Sequence, residues 1–176
     1  MTIKIALLTV IMCAACTQLT AQKKFSSYLQ AQVTGTVYDY TRGNNPFAAG
    51  LGLQTYFNTR SNFKLVLDIT GDAYLGGDKV LRLNPDQTPA DDVSGVLNVF
   101  VGASFHPSEK IYFAYLSGVS VINGKAYFGI RPSIGYYFSP SQKWTSRLYF
   151  TNVFNRNKQT TDDFGSLSLA IGLKLF

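Results

Sequence analysis

The chain's closing stretch, residues 166–176, reads Ser-Leu-Ser-Leu-Ala-Ile-Gly-Leu-Lys-Leu-Phe and sets the period found throughout. Leu167, Leu169, Ile171, Leu173 and Leu175 take every second place, with Ser166, Ser168, Ala170, Gly172 and Lys174 between them. Side chains of a β-strand alternate between its two faces, so this segment has one apolar face and one small or polar face. Seven earlier segments behave alike, giving eight predicted strands at residues 27–40, 47–57, 63–75, 93–105, 111–122, 126–138, 144–154 and 166–176. The third is the cleanest: Phe63, Leu65, Leu67, Ile69, Ala73 and Leu75 oppose Lys64, Val66, Asp68, Thr70, Asp72 and Tyr74. In the fifth, Leu116 breaks the polar face; the seventh, with Leu148, Phe150 and Phe154 against Arg147, Tyr149 and Thr151, is the least regular.

Turn chemistry separates the segments. Arg42-Gly43-Asn44-Asn45-Pro46 is a turn by composition. Asn123-Gly124 is a two-residue hairpin signal, because both positions call for positive φ. Pro132 removes one ladder donor from the sixth segment and predicts a bulge there. The connections 58–62, 106–110 and 139–143 are short, whereas 76–92 and 155–164 are long and polar. Short and long connections fall on opposite ends of the strands.

Ahead of the first strand, Lys4 and the apolar run 5–16, followed by Leu19-Thr20-Ala21, form the pattern of a secretory signal peptide cleaved after Ala21. The expected organisation is therefore signal peptide 1–21 and one β-domain 22–176. Both cysteines, Cys13 and Cys16, fall in the leader. Lipidation at Cys16 is the alternative processing route, and without it the mature chain has neither a disulfide framework nor a thiolate metal site. The run is too short for a membrane-spanning helix, which needs ~20 residues. The mature chain contains no apolar run of helical-span length, because its hydrophobicity is spread through alternation. The formal net charge of +6 becomes +5 without Lys4, and the basic residues are scattered rather than gathered in an arginine-rich run. That distribution argues against nucleic-acid binding.

The terminal alternation 166–176, the eight alternating segments and the leader together resemble the small eight-stranded outer-membrane β-barrels of the OmpA/OmpX type, over residues 27–176. The resemblance implies an all-β, antiparallel, up-and-down transmembrane barrel in the bacterial outer membrane, with short periplasmic turns and longer external loops. It also implies lipid and lipopolysaccharide as surroundings, the barrel-assembly machinery as a partner during insertion, and possible membership of a larger outer-membrane complex. Phe47, Phe57, Phe63, Phe105, Tyr136, Phe138 and Trp144 stand near strand ends, where aromatic girdles belong. In one respect the chain departs from the family pattern: strict parity would turn the terminal Phe176 inward with Gly172 and Lys174.

The inward set holds Lys64, Asp68, Asp72, Arg131, Arg147 and Lys174. An eight-stranded barrel is just wide enough for its side chains to fill, and charges inside it must pair or be hydrated. These six residues are expected to form a structural charge network, with Asp68 and Asp72 paired to Arg131, Arg147 or both. A narrow ion path or a small ligand site is the alternative. No catalytic, cofactor or metal site is expected: the single histidine, His106, falls in a short turn, and the mature chain holds no phosphate loop, HExxH or CxxC. Asp91-Asp92 and Asp162-Asp163 could hold a divalent cation, but solvated loop carboxylates are the plainer reading. The expected role is non-enzymatic, structural or surface-binding, through the loops 76–92 and 155–164. A narrow channel, a soluble lipocalin-like carrier and a barrel enzyme are the alternatives.

Overall fold

The computed structural model describes residues 25–38, 46–59, 61–76, 93–155 and 163–176. The expected leader at 1–21 with Cys13 and Cys16, most of the connection 76–92, Asp91, Asp92 and Asp162 lie outside them. Eight strands follow in order: β1 Phe25–Tyr38, β2 Phe47–Phe57, β3 Phe63–Leu75, β4 Gly95–Phe105, β5 Ile111–Ile122, β6 Lys125–Tyr137, β7 Trp144–Val153 and β8 Phe164–Lys174. Each pairs antiparallel with the next, and β8 returns to β1 to close the barrel. Closure leaves no unpaired edge, the condition for a sheet to sit in hydrocarbon.

Alternation decides the two surfaces. The register aligns Leu29 with Leu53 and Leu173, Leu53 with Ile69, and Ile69 with Val99, so apolar rows run around the outside. Leu51, Leu65, Val101 and Ile171 are all more than half exposed, which a soluble protein would not tolerate as a continuous belt. Phe57, Phe63, Phe105, Tyr136, Phe138 and Trp144 ring the end with the connections 58–62, 106–110 and 138–143, here called the turn rim. Phe63 and Phe105 face each other at 4.9 Å between centroids. The opposite end is the loop rim.

Four details depart from simple alternation. Asn123 and Gly124 have φ of 50° and 75°, as the hairpin between β5 and β6 requires. Pro132 interrupts pairing without a bulge: Ile130 opposite Asn152 and Ser133 opposite Tyr149 keep one register, while the pairs at Arg131 and Pro132 lapse. A missing N–H removes a bond but inserts no residue. The register slip falls instead between β1 and β8, between Thr36 and Tyr38. There the Tyr38 ring lies over Gly165, where a Cβ would approach to 2.3 Å. Finally, the last ladder pair of β8 is Lys174 with Tyr28 and one backbone bond follows from Leu175 to Ser27, so parity no longer governs Phe176. It is exposed and meets Phe25 edge-on at 6.3 Å.

The interior is filled in three tiers. At the turn rim, Tyr28, Tyr56, Tyr112 and Tyr137 pack with the imidazole of His106, which stacks on Tyr112 at 5.4 Å. At the loop rim, Ala48, Tyr74, Val93, Val96, Ile122, Val153 and Phe164 form an apolar cap. Val93 precedes β4 instead of belonging to it, and its side chain is fully buried. Between these tiers lies the polar layer.

Candidate functional site: the closed interior

Asp68, midway along β3, points inward and is wholly buried. Arg131 of β6 reaches its Oδ2 at 3.0 Å. Arg147 of β7 spans both oxygens, Nη1 to Oδ2 at 2.9 Å and Nη2 to Oδ1 at 3.3 Å. A planar guanidinium gripping a carboxylate in two places is the strongest form of charge-assisted hydrogen bond. Several of the remaining donors are also committed. Arg131 gives Nε–H to Thr151 Oγ1 at 2.9 Å and Nη1–H to Thr70 Oγ1 at 3.0 Å. Arg147 gives Nη2–H to Gln30 Oε1 at 2.8 Å, and Gln30 donates in turn to Gln54 at 2.9 Å. Tyr56 also donates to Gln54 Oε1, linking the charged layer to the tyrosine tier.

Aromatic faces complete the seat. The Tyr149 ring lies 4.6 Å from the Arg131 guanidinium and 4.5 Å from that of Arg147, and Phe100 sits 4.5 Å from Arg131. Such contacts are worth ~2 kcal/mol or more when desolvated. Phe100 is absent from the sequence-based set, which picked inward residues by charge. Alternation puts Tyr149 on the inward face, but nothing in spacing puts its ring between two arginines.

The structure places the six expected residues in three groups. Asp68, Arg131 and Arg147 meet directly. Asp72, four residues further along β3, takes its hydrogen bonds from neutral side chains: Gln32 Nε2 at 2.7 Å and Thr34 Oγ1 at 3.4 Å. Lys64 and Lys174 stand toward the turn rim, partly exposed. The buried layer is thus balanced, two carboxylates against two guanidiniums. Arg147 crosses the bore from β7 to reach β3 and β1, which leaves the middle occupied.

Two further places bring reactive side chains together. Ser104 Oγ and His106 Nε2 are 3.0 Å apart, a separation suited to a nucleophile and base. But Ser104 is buried inside the wall, and the imidazole is enclosed by Tyr56, Tyr112 and Tyr137, so a substrate has no approach. Asp163 spends one oxygen on Asn152 Nδ2 and the other on the Asn155 amide, both at 3.1 Å. Asn152 also accepts from Tyr38. Asp163 therefore acts as a brace at the loop rim, and no group of metal-ligating residues occurs among the described residues.

His106 lies in the turn after β4. Burial lowers its pKa to about 4, and the nearby Lys64 adds to the effect. The folded protein therefore holds a neutral imidazole where the unfolded chain, with a pKa near 6.5, takes up a proton. Stability is full above pH ~6.5 and falls as pH drops toward 4, by up to about 1.4 kcal/mol per pH unit. Urea midpoints of the detergent-solubilised barrel from pH 7.5 to 4 should show this decline, and His106→Gln should flatten it. Parallel profiles for the two proteins would contradict the assignment.

An eight-stranded antiparallel cylinder, apolar outside and packed with paired polar side chains inside, is the fold of the small outer-membrane β-barrels. Ail, the attachment invasion locus protein of Yersinia pestis, shares it with a TM-score of 0.55 and 10% identity, over 86% of this chain and 98% of Ail. Ail in complex with the heparin analogue sucrose octasulfate is similar at a TM-score of 0.51 and 10% identity, over 86% and 97% of the two chains. A de novo designed transmembrane β-barrel matches at 0.53 and 11% identity, over 85% of this chain and 95% of the design. At these identities the likeness concerns the fold. No protein-family model and no curated protein sequence matches the chain.

Proposed function

We propose that the protein is a non-enzymatic integral barrel of the bacterial outer membrane whose contacts with its surroundings are made from the loop rim, through the connections 76–92 and 155–164. The observation that carries this reading is the pairing of a continuous apolar exterior with an interior that is filled along its length. A solvent-filled bore would suit a porin and an apolar cavity a carrier; this interior has the character of neither. The charge network is then a structural device that holds the cylinder's shape. The leader at 1–21 would export the chain, the barrel-assembly machinery would insert it, and lipopolysaccharide would surround the loop rim.

The first experiment is electrophoretic. Protein from a purified outer-membrane fraction should migrate faster unboiled than boiled, because the folded barrel survives detergent until heated. Recovery from the soluble periplasm with no shift would overturn the membrane assignment. The channel reading has its own check: in planar bilayers the purified barrel should give no steady conductance above background, and reproducible unitary steps would restore it. With both answered, deletion of 77–90 tests the loops, since loss of a surface-binding phenotype with normal heat-modifiability would separate binding from folding.

A further inference from the structure

The geometry points to a buried water molecule, an integral part of the fold, held between β5, β6 and β7 by Tyr112, Ser133 and Arg147. Tyr112, Gly135 and Arg147 form one cross-strand row, with Gly135 directly opposite each of the others. Ser133 precedes Gly135 by two residues and so shares its face of the strand. Gly135 has no side chain, and the Tyr112 hydroxyl is laid across it: a Cβ there would sit 2.4 Å from Tyr112 Oη. The hydroxyl is thereby brought toward the root of the Arg147 side chain, since facing Cβ positions in such a row are ~5 Å apart.

Three polar atoms of these side chains have no hydrogen-bond partner among the described residues: Tyr112 Oη, Ser133 Oγ and Arg147 Nε. Tyr112 and Arg147 are 0% and 1% exposed. Their neighbours are largely committed elsewhere. The other Arg147 nitrogens are taken by Asp68 and Gln30, and the Tyr56 hydroxyl donates to Gln54. Arg147 Nε–H can only donate, whereas each hydroxyl can donate or accept. One water accepting from Arg147 and from one hydroxyl, and donating to the other, satisfies all three, and about three bonds is the usual number for a buried water. A small anion would also accept from these donors, but the two guanidiniums are already balanced by Asp68 and Asp72, so an anion would add uncompensated charge.

The probe is water itself. In the folded wild-type barrel in micelles, the ¹⁵N-edited spectrum should show a cross-peak between Arg147 Nε–H and a long-lived water, lost in Ser133→Ala. Urea midpoints give a second readout. Removing a hydroxyl that has no partner raises stability, so without the water Tyr112→Phe and Ser133→Ala should each raise the midpoint, and additively. With it, each lowers the midpoint, and the double variant loses less than the sum because the first change already releases the water. A missing cross-peak, raised midpoints or additivity overturns the proposal. So does a wild-type midpoint that tracks chloride at constant ionic strength, which would assign the place to an anion.

Discussion

Asp68→Ala should leave little folded barrel. The substitution removes the one carboxylate that both Arg131 and Arg147 grip, and leaves two buried guanidiniums without it. Breaking a buried pair by removing one partner costs ~3–5 kcal/mol, because the surviving charge keeps its desolvation penalty without its compensation. Two cations lose their partner here, and Asp72, bonded to Gln32 and Thr34, is not positioned as a substitute. The expected result is loss of the fast-migrating unboiled form after refolding into detergent, with the urea midpoint of any residual folded fraction sharply reduced. Asp68→Asn, which keeps the shape and one acceptor oxygen, should fall between. A triple change of Asp68, Arg131 and Arg147 to apolar residues of similar volume should recover much of the stability, since the cost lies in the unpaired charge. An Asp68→Ala protein as stable as wild type would show that the arginines are hydrated and that the bore is open to water.

The second large effect belongs to the outer wall. Val101 lies near the middle of β4, opposite Leu67 and Ser117, and faces outward with 56% exposure. Leu75, at the end of β3, is similarly exposed. In water the two positions are equivalent, and arginine at either would cost little or improve solubility. In a bilayer they differ: arginine at the midplane of a barrel wall costs ~2–4 kcal/mol and near an interface ~0–1 kcal/mol. Folding titrations into lipid vesicles should therefore show Val101→Arg strongly destabilised and Leu75→Arg nearly neutral. Equal effects at both sites would mean that no hydrocarbon slab surrounds the cylinder. The comparison uses depth as its variable, so it does not depend on whether either variant is less stable for some unrelated reason.

Much of this architecture is legible in the sequence because parity is a local property. In residues 63–75 the apolar and polar positions separate almost cleanly, with Val66 alone as an aliphatic on the inward face, and the strand occupies that range. Where a strand stops is less local. Val93 has the composition of a strand residue, but its place under the loop-rim cap depends on Phe164 and Val153, which arrive much later in the chain. Phe176 has the parity of Lys174, yet pairing ends between them and Phe25 supplies a partner that parity does not encode. Within the interior, charge marks Asp68 and Asp72 alike. Which of them faces the arginines depends on the stagger with which eight strands close, a quantity no single segment carries. Phe100 and Leu116 stand out for a related reason: on a face expected to be polar, an apolar residue reads as an exception, whereas in a closed cylinder it is filler between charged neighbours.

Arg147 and Asp68 are separated by 79 positions along the chain, and Arg147 and Gln30 by 117. Their meeting has a consequence for the order of assembly. Strands β1 to β6 alone would present Asp68 to Arg131 and leave Gln30 and half of the carboxylate's coordination waiting for β7. A sheet entering the bilayer before its last strands arrive would carry those groups unpaired, and the penalty would drive it back toward water. Closure of the seam between β8 and β1 and completion of the charge layer are thus coupled events. Partly inserted sheets should be rare during biogenesis, and variants weakened at Asp68 should accumulate as unfolded chains on the aqueous side, where proteases reach them, rather than as half-built barrels within the membrane.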